Sequence, residues 1–270
     1  MELSVKMVGL LRFSVLSPTY YSERFNTIEE TAAHLFSEER MELRFRIFET
    51  LCLPSLVRQS DKDFTLVVLT AETMPAPYMS HLLDLLEPYP NLVVRPVDTG
   101  NHYKLLKQAY ASVPLDGASH QILFRLDDDD AVDFDFVRRA KHLALGMIPL
   151  QGADTPFVLA NSRGFYAHKT DDGVEVYDAC ERAPLSTGTA LVAPAGHGLN
   201  PYRYNHRKFA QHFNTFSDIS VPSFVRTIHG DNKSQPTQMG LTRNWSTDQI
   251  DEGLKQHFGL SVDTLQGLLQ

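Results

Sequence analysis

A chain of 270 residues can build one α/β domain with a full core, and 43% apolar with 21% charged residues is ordinary globular composition. The 33 acidic against 25 basic residues give a formal net charge of −8, which argues against the basic face of a nucleic-acid binder. No stretch approaches the roughly 20 apolar residues of a membrane span, and Met1 to Lys6 lack the charged and apolar regions of a secretory signal.

The first half alternates strand-like and helix-like segments. The apolar run Met7–Leu16 predicts a buried strand ending at Ser17-Pro18. Glu39 through Gln59 carries a dense helical pattern, with Pro54 marking a kink or boundary. Phe64–Thr70 is a second strand, Pro77–Leu86 a helix and Asn91–Val97 a third strand. Tyr103–Val113 follows as a helix and Gln121–Leu126 as the fourth strand. Alternation of this kind predicts a mostly parallel sheet with helices on both faces. Beyond Asp130 the pattern changes. Asp133–Leu145 reads as a helix capped by Asp133 or Asp135, and Phe157–Ala160, Gly173–Tyr177 and Ala190–Ala193 read as shorter strands. Residues 200–245 are polar and aromatic with little periodicity, as functional loops often are. Cys52 and Cys180, far apart in the chain, read as reduced thiols of a cytosolic protein.

The most informative segment is Arg125-Leu126-Asp127-Asp128-Asp129-Asp130. Four adjacent carboxylates repel one another, so they fold best where something positive sits among them. They close a buried strand, and the carboxyl ends of strands in open α/β sheets are where ligands bind. Oxygen ligands suit Mg²⁺ or Mn²⁺, above all where phosphates complete the coordination. Strand alternation would put Asp127 and Asp129 on one face, Asp128 and Asp130 on the other. Nucleotide contacts are expected near the ends of the earlier strands, at Arg12, Ser14, Thr70, Asp98 and Arg125, although Arg125 can equally pair with the acidic run. No glycine-rich phosphate loop, zinc-type cysteine pair or nucleophile elbow is present.

With Arg12-Phe13-Ser14-Val15, Leu53-Pro54-Ser55-Leu56 and Gln59, the acidic run, and His229-Gly230-Asp231-Asn232-Lys233-Ser234, the chain resembles glycosyltransferases of the GT-A fold. The finer pattern is similar to a bacterial rhamnosyltransferase family. The resemblance implies a single domain over residues 1–270. Its nucleotide-binding half (1–130) would hold a mostly parallel twisted sheet flanked by helices, and its acceptor-side half (131–270) would be mixed α+β. It implies a metal-dependent enzyme that moves a sugar from a nucleotide-diphosphate donor to a glycan, lipid-linked or small-molecule acceptor. The cation, Mn²⁺ or Mg²⁺, would be held by Asp127, Asp129 and His229, the imidazole favouring Mn²⁺. Asp127 would also approach the ribose, Asp130 would orient a sugar, and Lys233 with Ser234 would meet the diphosphate. Inverting transfer needs a carboxylate base, for which Asp218 is preferred over Asp231. The implied location is cytoplasmic, at times peripheral to the inner membrane face. Two other classes share these features. A nucleotidyltransferase would show a basic, glycine-rich loop after the first strand, and a non-catalytic nucleotide- or carbohydrate-binding protein would keep its affinity without Asp129.

Overall fold

The computed structural model describes residues 3–232, 242 and 244–270. Its first half follows the predicted alternation: β1 (Val5–Phe13), α1 (Ile28–Leu35), α2 (Glu38–Ile47), α3 (Leu53–Val57), β2 (Thr65–Ala71), α4 (Ala76–Leu86), β3 (Leu92–Val97), α5 (His102–Ala111) and β4 (His120–Asp127). The long helix expected over 39–59 is broken by a π-helical turn at Phe48–Cys52 that leads into Pro54, a residue without the N–H that would continue the ladder. Next come β5 (Asp130–Val132), α6 (Phe136–Gln151), β6 (Phe157–Asn161), β7 (Arg163–Thr170), β8 (Gly173–Cys180) and β9 (Ala190–Pro194). Asp135 makes no side-chain cap on α6, and Asp133 instead accepts the Asp135 N–H at 3.0 Å. The stretch expected to be irregular folds, in its described part, into a 3₁₀ turn at His206–Gln211, β10 (Asn214–Asp218) and β11 (Phe224–Ile228). Helices α7 (Thr247–Phe258) and α8 (Val262–Leu269) close the chain.

The main sheet runs β10-β6-β9-β4-β1-β2-β3. Strands β3, β2, β1 and β4 are mutually parallel, β10 is parallel to β6, and β9 alone runs antiparallel to its neighbours β4 and β6. The mostly parallel sheet is therefore present. A second sheet, β5-β11-β7-β8, packs under α7 and α8. Phe13, Phe45, Phe48, Leu82, Phe124 and Phe136 form the core on one face of the main sheet, while Val8, Leu10, Leu123 and Leu106 of α5 fill the other. Close packing fixes Gly9 as glycine, since a Cβ there would lie 2.2 Å from the Phe124 ring. No helix among the described residues is long and apolar enough to cross a membrane.

Two features of this frame set up the site. Strands β1 and β4 end together, with Arg12 opposite Asp127 in register. The chain then leaves the main sheet, turns through Asp128 and Asp129, and enters the second sheet at Asp130, opposite Arg226 of β11.

Candidate active site

The acidic run thus straddles the seam between two sheets, and every carboxylate in it has a partner. Asp127 pairs with Arg12, whose Nε lies 3.2 Å from Oδ1. Asp128 takes both Nε, at 3.0 Å, and Nη2 of Arg44. Asp129 Oδ2 accepts from Arg44 Nη1 at 2.9 Å and Asn232 Nδ2 at 2.9 Å, with His229 Nε2 at 3.2 Å. Asp130 accepts the Thr187 hydroxyl. The alternation expected of the four is not found, because the strand stops at Asp127. The turn brings Asp128 and Asp129 to the same guanidinium.

Burial and these partners set the charges. At Asp129 burial acts to raise the pKa, but Arg44 and His229 overcome it and hold the carboxyl well below its usual range. Asp127 is lowered in the same way, burial being outweighed by Arg12 and then Arg125. Asp130 goes the other way: burial, reinforced by the charge of Asp129, lifts it well above the ordinary carboxylate range against the pull of Arg226.

Helix α2 supplies the cations. Arg40 and Arg44 stand one turn apart, so they share a face, and both are buried. Arg40 reaches Asp231 Oδ2 at 2.7 Å and Ser14 Oγ at 2.9 Å. Ser14, just past β1, adopts a left-handed φ of 54°, a conformation that non-glycine residues keep only where their surroundings impose it. Beside it Tyr20 stacks on His102 at 4.8 Å, and the Arg12 guanidinium lies 4.8 Å from the Tyr20 ring centre. These groups surround a cleft open to solvent, with about 690 Å³ of empty space when the solvent at its mouth is included.

Of the residues singled out from the sequence, Arg12, Ser14 and Asp127 to Asp130 line this cleft, and His229 borders it through Asp129. Thr70 does not: it is fully buried, with its hydroxyl 3.8 Å from Met74 Sδ, because it lies inside the packed end of β2. Arg125 lies outside the cleft lining, under Tyr202. Lys233 falls outside the described residues. Asp218 lies elsewhere. Its Oδ2 is 3.2 Å from Arg139 Nε, its Oδ1 accepts the Ser220 N–H at 2.9 Å, and it does not line the cleft. Asp231, the other candidate base, is held by Arg40 and by His34 at 2.9 Å. Sequence reading missed Arg40, Arg44, Tyr20, His102 and Arg226. The signal for the first two was present, as two arginines at i, i+4 among the inward positions Met41 and Phe45.

If Asp218 is structural, Asp218→Asn should cost about 1–3 kcal/mol, lowering Tm by about 2–4 °C per kcal/mol. Turnover below the transition should be unchanged. A thermal melt and a rate measurement at 20 °C check this, and a normal Tm with lost turnover would return Asp218 to the chemistry.

The carboxylate of Asp129 and the imidazole of His229 form a donor pair of the kind that Mn²⁺ accepts. Among the described residues, no group of three His, Cys, Asp or Glu side chains is arranged to hold a metal ion, and Arg44 occupies the same Asp129 oxygen. A divalent cation held by this pair would have to compete with Arg44 for Asp129 and would need its other ligands from phosphates and water.

The sequence profile of the family described as "Putative rhamnosyl transferase" matches residues 6–241. Among solved structures, the chain is similar to S. aureus TarS residues 1–349, with 15% identity over 82% of this chain and 60% of that one (TM-score 0.43). The same fragment in complex with UDP gives 13% identity, 83% and 60% coverage and a TM-score of 0.44. A protein described as a "putative nucleotide-diphospho-sugar transferase" from Desulfovibrio desulfuricans G20 gives 8% identity over 84% of this chain and 83% of that one (TM-score 0.34). The chain therefore spans about 60% of the length of the TarS fragments it matches. No curated protein matches the sequence.

Proposed function

This chain belongs to the rhamnosyl transferase family, and from that premise we propose that it moves a sugar, rhamnose by the family's description, from a nucleotide-diphosphate donor. The acceptor is a hydroxyl on a glycan, a lipid-linked unit or a small molecule. The observation that carries this reading is the cleft at the joint carboxyl ends of β1 and β4, where charged groups of both signs converge on one opening.

The cleft wall holds four arginines and five aspartates, so it has no positive surplus with which to meet a diphosphate. That balance supports a requirement for a divalent cation, with Asp129 and His229 as the residues to hold it and Asp127 beside them. When bound, Mn²⁺ or Mg²⁺ supplies Lewis-acid neutralisation of the leaving diphosphate. The remaining roles fall to side chains. The Tyr20–His102 stack offers a flat wall for a nucleobase, and Asp127, oriented by Arg12, faces the ribose. Asp130 is the base we favour over Asp218, because it lines the cleft and Asp218 does not. In the transfer, the acceptor oxygen forms a bond to the anomeric carbon while that carbon's bond to the phosphate oxygen breaks. The electron pair leaves with the nucleoside diphosphate, and the acceptor proton passes to Asp130, which Thr187 holds in place.

A thermal-shift screen of dTDP, UDP and GDP and their sugars, with and without Mn²⁺, tests the class. At least one nucleoside diphosphate should raise Tm in a saturable way that EDTA removes. No shift from any of them would sink the reading.

A further inference from the structure

The described residues contain five buried side-chain polar atoms without a hydrogen-bond partner: Arg125 Nε, Thr189 Oγ1, Asn200 Nδ2, Tyr202 OH and His206 Nε2. They are not scattered. The Arg125 guanidinium lies 4.2 Å from the Tyr202 ring centre, and the Arg125 N–H donates to the Thr189 carbonyl at 3.3 Å. The Tyr202 N–H donates to Asn200 Oδ1 at 2.9 Å. His206 feels the charges of Arg125 and Arg226, which add to burial in lowering its pKa to about 3, so its imidazole is neutral. Native proteins satisfy most buried polar groups, so five orphans in one place call for a reason.

Arg125 gives the strongest one. It is 8% exposed, and no carboxylate lies within ion-pair distance of it among the described residues. Asp127, whose pKa its charge helps to lower, is already gripped by Arg12. Water can satisfy hydroxyls and amides, but a buried guanidinium without a counter-ion is costly and is stabilised by an anion. The orphaned atoms also share a polarity. Arg Nε and Asn Nδ2 only donate, and the hydroxyls and a neutral imidazole can donate as well. Several donors on residues linked to one cation suit an oxyanion with several oxygens better than they suit a metal or a neutral sugar.

The covering segment has the matching charge. Between Glu181 and Asp218 this acidic protein carries no acidic residue, yet it carries Arg182, Arg203, Arg207 and Lys208. Such a stretch would attract a negatively charged ligand.

We propose that Arg125, Thr189, Asn200, Tyr202 and His206 form a subsite for a phosphate group carried by the acceptor. It lies behind Asp127 and apart from the cleft that takes the donor diphosphate. This rests on the transferase reading above and narrows the acceptor to a phosphorylated molecule. The experiment titrates inorganic phosphate, against chloride at matched ionic strength, into protein saturated with nucleoside diphosphate and Mg²⁺, and separately into free protein. Phosphate should raise Tm saturably in both states, and Arg125→Met should weaken it at least tenfold without changing nucleotide affinity. Because Arg125→Met removes an uncompensated buried charge while keeping a long apolar stem, the free variant should melt higher than wild type. A variant that melts lower or fails to fold would mark Arg125 as structural and overturn the proposal. So would phosphate binding equally to variant and wild type, and so would its absence from free wild type. Phosphate that competes with the nucleotide would assign Arg125 to the donor instead. The free-protein titration reads the subsite even if no nucleotide binds, so the two readings fail separately. Tyr202→Phe, which keeps the ring over Arg125 and deletes one donor, should weaken phosphate by a smaller factor.

Discussion

Asp129→Asn should weaken nucleoside diphosphate binding in Mn²⁺ by 10–100-fold or more, the order seen when groups that hold or orient a metal are altered. The substitution keeps the side chain's shape but removes the charge on which Arg44, His229 and Asn232 all converge. It also takes from Arg44 half of its anionic clamp, leaving only Asp128. Isothermal calorimetry separates these effects: the metal-dependent part of the affinity should vanish, while any residual metal-free binding stays at the wild-type value. Mn²⁺ affinity measured directly, by the electron paramagnetic resonance signal of the free ion, should fall in parallel. Wild-type nucleotide affinity in Mn²⁺ would remove Asp129 from the site. Unchanged Mn²⁺ binding with lost nucleotide affinity would show that Asp129 acts through Arg44 alone.

Asp130→Asn should lower kcat by about 10²–10⁴-fold, the usual contribution of a positioned general base, while donor affinity stays within a factor of two or so. The same variant should be more stable than wild type near neutral pH. The sign follows from the direction of the pKa shift. Asp130 is raised in the fold by burial and by Asp129, so its ionised form is disfavoured there relative to the unfolded chain. The cost grows as pH rises from the unfolded carboxyl's pKa to the folded one and is full above it, and an amide, which cannot ionise, removes it. Lost turnover together with a higher Tm is the signature of a carboxylate kept for chemistry. A lower Tm with turnover intact would make Asp130 a structural partner of Thr187.

Much of the frame was legible because parallel strands buried on both faces read as continuous apolar runs. The acidic run stood out because it closes one of them. His229 was paired with Asp129 across 100 residues through the family resemblance, and the two do meet at 3.2 Å. The counter-ions were missed, although the spacing of Arg40 and Arg44 was visible. Arg40 and Arg44 lie in a helix with six charged residues among ten, so which of its arginines are buried becomes visible only once the acidic partners are in place. The division of the four aspartates was misread for a local reason: period-two alternation holds only inside a strand, and β4 ends at the first of them. Strands β10 and β11 are five residues each, and their partners β6 and β7 lie more than 50 residues away, so no local signal announces them. Asp218 looked free in a polar loop, while the arginine that holds it belongs to α6.

If the cleft at the joint carboxyl ends of β1 and β4 transfers a sugar, it releases a nucleoside diphosphate. The most direct measurement is ³¹P NMR of nucleotide-sugars incubated with the protein and Mg²⁺, with and without added pyrophosphate. Nucleoside diphosphate resonances should grow, slowly with water alone and faster with an acceptor, and pyrophosphate should change nothing. Nucleoside triphosphate and sugar phosphate appearing only when pyrophosphate is present would place the cleavage between the two phosphates. That result would make the protein a nucleotidyltransferase.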